Sequence, residues 1–507
     1  MAAPRPCWES PHVTTDPHPA TAGLAATSAA DLAADLAAGR TTSVEVVRAL
    51  RERIAAVDDA GPQLRSVLAL AADAEEQAAA LDAERAAGQV RGPLHGVPVL
   101  IKDNIEALGL PGSAGSLALA GRPVERDADL VASMRAAGLV VLGATNLSEW
   151  ANMRSPHSTS GWSAVGGLTG NPWRLDRSAG GSSSGSGAAV AAGLAPLAVG
   201  TETDGSITCP SSLNGCVGLK PGVGLVPTTG VVPLAASQDA PGPMARTVAD
   251  AALLLSAMTG DASYAGAPGT LAVDGLRLGA GSGWLSGHPG TDALFADVVE
   301  RLRAAGAQVG EADVTPVAGT GAAELTVLVC ELREDLDVYL ASRGGPGPAS
   351  VEELIAFNRE HAEHELAHFG QEFLEMAASS QGREDPAYAE ARTRCLAWAI
   401  DENLGPALEG PDAPEFLVAP AYAPAWKSDL LAGDHFLGGG LASAAPSIAG
   451  WPVLCVPMGL VAGLPVGLVL VGRPGSEARL LAAGHAVEGL LALGAALRPA
   501  WAAPSRG

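Results

Sequence analysis

Between Asp434 and Arg473 the chain carries no Lys, Arg, Asp or Glu. A run of that length without charge either crosses a bilayer or lies inside a protein. Pro446, Pro452, Pro457 and Pro465, with Gly450, Gly459, Gly463 and Gly467, cut it into short pieces. A spanning helix cannot keep its backbone hydrogen-bonded through so many breaks, whereas buried strands joined by tight turns can. The stretch predicts central strands of a core sheet.

The rest of the chain supplies helices to cover such a sheet. Thr42 and Glu45 have capping-box spacing ahead of Val44, Val47, Leu50 and Ile54, an apolar face at helical period. Residues 66–88 read as an Ala/Glu-rich helix ending at Gly88, and 96–101 as a short buried strand running into Lys102. A helix over 127–137, closed by Gly138, precedes a strand at 139–142. Strand–helix alternation returns at 276–281, 292–305, 415–419, 466–471 and 477–493, which predicts an α/β architecture with a mixed sheet. Residues 341–440 differ in texture: a turn-rich linker from Arg343 to Pro348, one long helix over 351–376, and a polar stretch at 379–385. They read as a helical insertion in a single domain spanning 28–500, with 1–27 a loosely ordered extension. No repeat of 20–50 residues is present in the sequence.

Charge narrows the function. With 31 Lys+Arg against 55 Asp+Glu the net charge is −24, and such a surface repels phosphate backbones and anionic membrane faces. Neither nucleic acid nor membrane is an expected partner. The six cysteines form no CxxC pair and lack histidines at zinc-finger spacing, so reduced thiols are expected, with no structural zinc. Residues 1–27 lack an unbroken apolar stretch of export-signal type, and a cytoplasmic protein is expected.

The chemistry concentrates in residues 178–206. Ser178-Ala-Gly-Gly-Ser182-Ser183-Ser184-Gly-Ser186-Gly leads into 188–199, a run with no polar side chain, and then into Gly200-Thr-Glu-Thr-Asp-Gly-Ser206. A flexible linker would not abut a buried segment; a backbone nest or tight turn before an apolar element fits better. Neither GxxxxGK[ST] nor GxGxxG occurs in the tract, so a phosphate cradle is disfavoured. Gly181-Ser-Ser183-Ser-Gly185 matches a nucleophile elbow, but the polar, Pro-broken 171–177 is a poor buried strand to precede one. Ser206 does follow an apolar segment, behind small residues able to present amide hydrogens.

A serine nucleophile needs a base. His157 is the one histidine near the tract in sequence, in a polar loop. His361, His364 and His368 would share a helical stripe, but the first and third would stand about 10.5 Å apart along the axis. A solvated or structural face suits them better than a metal site. Lys102, at the end of an apolar strand, is placed for burial, which lowers an amine's pKa towards a usable base. The plainer alternative is a lysine paired with Asp103.

Gly96-Val-Pro-Val-Leu-Ile-Lys102-Asp-Asn, Gly180-Gly-Ser182-Ser-Ser-Gly-Ser, Gly205-Ser206-Ile and Gly218-Leu-Lys-Pro221 together resemble the amidase signature family, over about residues 30–490. Within it, 146–152, 200–206, 237–246, 354–358 and 369–372 are similar to the bacterial peptide amidases. The resemblance implies a large, mixed, mostly parallel twisted sheet covered by helices on both faces. It implies a serine amidohydrolase with a Ser–cis-Ser–Lys triad, needing neither metal nor cofactor. Ser206 matches the acyl-forming nucleophile and Ser182 the bridging serine, whose peptide bond from Gly181 is cis in the family. Lys102 matches the base, and the backbone amides of Thr203, Asp204, Gly205 and Ser206 the oxyanion hole. Asn152 and Ser183 fall on the substrate side.

Three departures from the broad pattern stand out: Asp204 in place of Gly, Thr208 in place of Arg, and Ser184 with Gly187 in the serine loop. The missing Arg counts against a glutamine-processing subunit of a tRNA-dependent amidotransferase. Peptide C-terminal amides are the first substrate class implied, with carbamates, aryl amides or short aliphatic amides as alternatives. A non-catalytic subunit or binding protein of the same fold is the reading from another class.

Overall fold

The computed structural model describes Gly23 and residues 26–315, 320–410 and 413–499, so most of the expected 1–27 extension lies outside the described residues. Eleven strands form one sheet: β1 (Val67–Leu70), β2 (Pro98–Lys102), β3 (Val140–Thr145), β4 (Leu197–Glu202), β5 (Val217–Lys220), β6 (Ala240–Ala245), β7 (Arg277–Gly281), β8 (Gln308–Ala312), β9 (Phe416–Pro420), β10 (Val453–Val461) and β11 (Leu464–Val471). Their order across the sheet is β1-β3-β2-β4-β6-β5-β10-β11-β9-β7-β8.

Successive side chains of a strand point to opposite faces, and here both faces are buried. On β9, Phe416 and Val418 join one apolar cluster while Leu417 and Ala419 join another; Leu454 and Val456 against Val453 and Cys455 repeat this on β10. Helices Val248–Thr259, Pro289–Ala304 and Glu477–Leu491 cover the first face, and Thr208–Asn214, Pro386–Leu396 and Leu441–Ala449 the second. The charge-free stretch supplies that last helix and the β10–β11 hairpin, which turns at Ala462 and Gly463 with φ of 52° and 76°. Among the described residues no helix is long and apolar enough to cross a membrane.

The sheet is mixed, but the expected parallel majority is absent. Six of its ten neighbouring pairs are antiparallel and four parallel. The parallel pairs are β2 with β3 and β4, and β7 with β8 and β9, where helical crossovers intervene; the central strands pair antiparallel, as hairpins and short returns allow.

Local expectations hold where local chemistry decides. The Thr42 hydroxyl accepts from Glu45 N–H and the Glu45 carboxylate from Thr42 N–H, closing the capping box. Two helices differ. Residues 67–70 are strand β1, because pairing with β3 outweighs helix propensity, and the helix starts at Ala74. The single helix expected over 351–376 is broken into Val351–Glu360, Ala362–Glu365 and Glu372–Ser379. The break lets Glu365 turn inward to accept from the Ser116 hydroxyl at 3.0 Å and Leu117 N–H at 2.7 Å. Helices Gly321–Ser342, Val351–Glu360 and Glu372–Ser379 form a third apolar cluster with Trp150, Met153, Val232 and Leu234.

Candidate active site

Lys102 ends β2, between its parallel neighbours β3 and β4, at the carboxyl edge where open α/β sheets place their ligands. Its side chain is fully buried. The amine lies 2.8 Å from Ser182 Oγ, 2.8 Å from Thr201 Oγ1 and 3.2 Å from the Thr201 carbonyl. A neutral amine has two N–H donors and one lone pair, and the Thr201 carbonyl can only accept. Thr201 Oγ1 already accepts from Asn104 Nδ2 at 3.0 Å. As an ammonium Lys102 donates to all three oxygens; in the neutral amine, two N–H groups directed at Thr201 would leave the lone pair for the Ser182 hydroxyl. Burial pushes the amine down to about 7, against the opposing pull of the Asp239 and Glu202 charges.

Asp103 is not its partner. That carboxylate turns to the other side of the strand, accepting from Gly112 N–H and Ser113 N–H at 2.9 Å each and from the Ser113 hydroxyl.

The Gly/Ser tract is built into the core rather than linking parts of it. It forms a turn and the helix Ser184–Ala192, and its hydroxyls are all engaged: Ser184 donates to Gly180 O, Ser186 to Val199 O at 2.9 Å, and Ser183 to Thr201 O at 3.1 Å. A Cβ on Gly185 would stand 2.3 Å from Ser66 O and 2.5 Å from Asn146 O, which is why that position is glycine. The apolar run 188–199 is thus the end of one helix, a left-handed Gly193, and β4. The bond between Gly181 and Ser182 is cis. Ser183, at the centre of the elbow-like match and expected near substrate, is fully buried, and its hydroxyl also accepts from Thr201 N–H at 3.2 Å. It braces β4. The residues ahead of it, Arg174–Ser178, form a largely exposed two-stranded ribbon with 170–171, not the buried strand an elbow requires.

Ser206 follows β4 across a tight turn. Its carbonyl accepts from Ser183 N–H at 3.1 Å, tying it to the residue next to Ser182; among the described residues its hydroxyl makes no hydrogen bond. The fully buried Glu202 carboxylate accepts from Ile207 N–H at 2.7 Å and Thr208 N–H at 2.8 Å, folding the chain back at the start of helix Thr208–Asn214. Between these anchors Gly205 is left-handed with φ +80°. The N–H groups of Asp204, Gly205 and Ser206 donate to no acceptor among the described residues, which suits a turn that binds an oxyanion. The Thr203 hydroxyl donates to Asp239 at 2.5 Å, and its carbonyl accepts from Gln238 Nε2 at 3.3 Å.

Asn152 lies beside Ser160. Its Nδ2 lies 3.5 Å from Ser160 Oγ, and Ser160 packs on Gly181, where a Cβ would meet Ser160 Oγ at 3.0 Å. Asp434 holds Ser160 through N–H at 3.0 Å and hydroxyl at 2.5 Å, and accepts from Trp426 Nε1 at 3.0 Å.

The histidine stripe disperses: His361 stacks on Phe357 with ring centroids 4.1 Å apart, His364 is exposed beside Glu363, and His368 meets the edge of Trp162. No group of three metal-ligating side chains exists among the described residues.

Sequence reasoning gave no role to Thr201, Glu202, Gln238 or Asp239. The first two stand inside the quoted 200–206 motif and the last two inside 237–246, so the signal was their company rather than their spacing.

The family model described as Amidase matches residues 45–481. Among curated relatives, a glutamyl-tRNA(Gln) amidotransferase subunit of Thermobifida fusca is 37% identical over 507 residues, covering 94% of this chain and 96% of that one. Among solved structures, the native peptide amidase from Stenotrophomonas maltophilia matches with a TM-score of 0.84 at 44% identity, over 91% of this chain and 96% of that one. An amidase family protein from Bacillus anthracis matches with a TM-score of 0.81 at 30% identity, over 93% and 92%.

Proposed function

The chain belongs to the amidase family, enzymes acting on the carbon–nitrogen bonds of amides, and from that premise we propose a serine amidohydrolase with Ser206 as nucleophile, Ser182 as relay and Lys102 as base. Neutral Lys102 takes the Ser182 proton while Ser182 takes that of Ser206, and Ser206 Oγ attacks the amide carbon. The N–H groups of Thr203, Asp204, Gly205 and Ser206 receive the developing oxyanion. The relay reverses to protonate the departing nitrogen, and water releases the acyl group by the same route. One observation carries the reading: the buried Lys102 amine, its N–H groups engaged by Thr201, faces Ser182 at 2.8 Å.

The proposed substrates are peptide C-terminal carboxamides. The support is the 44% identity to a peptide amidase across nearly its whole length. Asn152, beside Ser160 and Gly181, is proposed to hydrogen-bond the substrate amide. A small fluorophosphonate labels Ser206 in the wild type and fails on Ser206→Ala, and intact mass after a peptide amide shows the acyl group on Ser206. Labelling of Ser206→Ala at the wild-type rate removes Ser206 from the role.

The 37% identity to one chain of an amidotransferase favours a second reading, a glutamine-hydrolysing subunit that works with a partner. Thr208 bears against it: fully buried, it stands where an Arg is common in the family and donates its hydroxyl to Gly205 O at 3.3 Å. Turnover of a peptide amide, but not of free glutamine, by the isolated chain separates the two.

A further inference from the structure

Trp150, Ala151 and Asn152 have φ of 49°, 53° and 75°, the one run of three consecutive non-glycine residues at positive φ among the described residues. Side chains with a Cβ resist that conformation, so a run of three persists only where its surroundings over-determine it. Asn152 carries a second local cost, because its Oδ1 is enclosed without a hydrogen-bond donor among the described residues. The turn nonetheless forms a wall of the candidate site. Ala151 shares a crevice with Asn104, Thr201, Thr203 and Asp239, and Asn152 reaches Ser160 against Gly181.

The two ends of this turn are joined by a buried side-chain contact. Arg154 Nη1 lies 2.5 Å from Glu149 Oε1, and both side chains are fully buried. The Glu149 carboxylate also accepts from Ala164 N–H at 2.8 Å. Arg154 is held in turn from the helical stretch between β8 and β9. It donates to the Glu365 carbonyl and to the Phe369 carbonyl at 3.4 Å, its Nη1 stands 3.7 Å from the buried Glu365 carboxylate, and its guanidinium lies 4.1 Å from the Phe369 ring centroid. A planar, permanently charged guanidinium suits this work, since it can face two carbonyls, a carboxylate and a ring at once.

We propose that Glu149 and Arg154, locked by Glu365 and Phe369, form a clamp that positions Asn152 towards the substrate amide, so that the helical stretch acts on substrate binding from behind the site. Neither Glu149 nor Arg154 contacts Lys102, Ser182 or Ser206 by any hydrogen bond among the described residues; both are positioning residues. The inference rests on the reading of Asn152 as a substrate-contacting residue.

The test is a double-mutant cycle between Arg154→Met and Asn152→Ala, read as KM and kcat on a peptide amide and as the rate of labelling by a small fluorophosphonate, which has no amide N–H. Arg154→Met and Asn152→Ala should each raise KM about tenfold, with labelling within about threefold of wild type. Arg154→Met should add no more than about twofold in the Asn152→Ala background. Fold-losses that multiply, labelling that falls in step with amide turnover, or Asn152→Ala without effect on KM would each overturn the clamp. If Arg154→Met does not fold, Glu365→Gln keeps an acceptor for Ser116 and Leu117 while removing the charge beside Arg154, and the same cycle decides with a smaller rise in KM. Labelling of Ser206→Ala would dismiss the nucleophile assignment alone, since the KM cycle does not depend on which serine is acylated.

Discussion

The phenol oxygen of Tyr422 lies 2.5 Å from the position a Cβ on Gly205 would occupy, so the residue before Ser206 has no room for a side chain. With φ at +80° the position also disfavours any side chain on conformational grounds, by about 1–2 kcal/mol. Gly205→Ala should therefore lower kcat/KM by about a hundredfold on a peptide amide. Removing the phenol oxygen leaves Ser443 Oγ at 3.4 Å and the ring carbon at 3.7 Å as the nearest atoms. Adding Tyr422→Phe should then recover about tenfold, the part due to the clash. A double variant no better than Gly205→Ala would show that backbone conformation alone sets the requirement.

Glu202 fixes the far side of the same turn. Its carboxylate accepts from Ile207 and Thr208 N–H while fully buried, and a hydrogen bond to a charged acceptor contributes about 1.5–3 kcal/mol. Glu202→Gln keeps one acceptor oxygen and should cost about 1–3 kcal/mol, read as a lower urea midpoint at unchanged slope. Glu202→Ala orphans two buried N–H groups and should cost more. Both should reduce kcat more than they raise KM, because the turn they loosen presents the 204–206 amides. Equal urea midpoints for wild type and Glu202→Gln would rule out the bracing role.

Much of this was legible in the sequence because it depends on local chemistry. Small residues at 178–187 and 200–206 announce tight backbone, a lysine ending an apolar strand announces burial, and prolines and glycines in 452–467 announce strands rather than a spanning helix, although Pro446 and Gly450, read the same way, belong to the short buried helix Leu441–Ala449 and its C-cap. Strand direction was not legible, since whether β4 pairs antiparallel with β6 depends on crossovers that no short pattern encodes. The break near His361 was hidden for the same reason. Residues 351–369 favour helix, and the turn near Glu365 goes with its carboxylate reaching Ser116 and Leu117, partners roughly half the chain away; only the gap before Glu372 has a visible breaker, Gly370. Glu202 and Asp239 escaped assignment because a buried carboxylate that accepts backbone N–H groups looks, in sequence, like any acidic residue in a motif.

Thr201 orients the Lys102 amine, the proposed base. Its hydroxyl accepts from Lys102 and from Asn104, so Thr201→Val, close in shape, leaves two buried donors without a partner. The amine is then free to turn its lone pair away from Ser182. General acid–base catalysis contributes about 10²–10⁴-fold, and losing orientation alone should cost about 10–100-fold in kcat with KM within about threefold. Thr201→Ser restores the oxygen and should recover most of the loss. A Thr201→Ser variant as slow as Thr201→Val would mean that packing, not the hydrogen bond, is what Lys102 needs.

Because burial sets Lys102 at about 7, below the ordinary 10.5, activity should rise with pH through about 7 and level off above it, as the amine loses its proton. The Asp239 charge works in the other direction, favouring the ammonium form. Asp239→Asn, which keeps an oxygen for Leu234 and Ala235 N–H, should shift the rising limb to lower pH by about half a unit. The same group leaves a mark on stability. Between about 7 and 10.5 the folded chain binds fewer protons at Lys102 than the unfolded chain does, so this contribution rises with pH across that window, and the penalty for burying the charge is largest below it. Subtracting the urea-unfolding free energies of Lys102→Met from those of the wild type should therefore give a difference that climbs from neutral to alkaline pH. A flat difference, together with a wild-type rate that does not change around pH 7, would place the ionisation elsewhere and take the base assignment from Lys102.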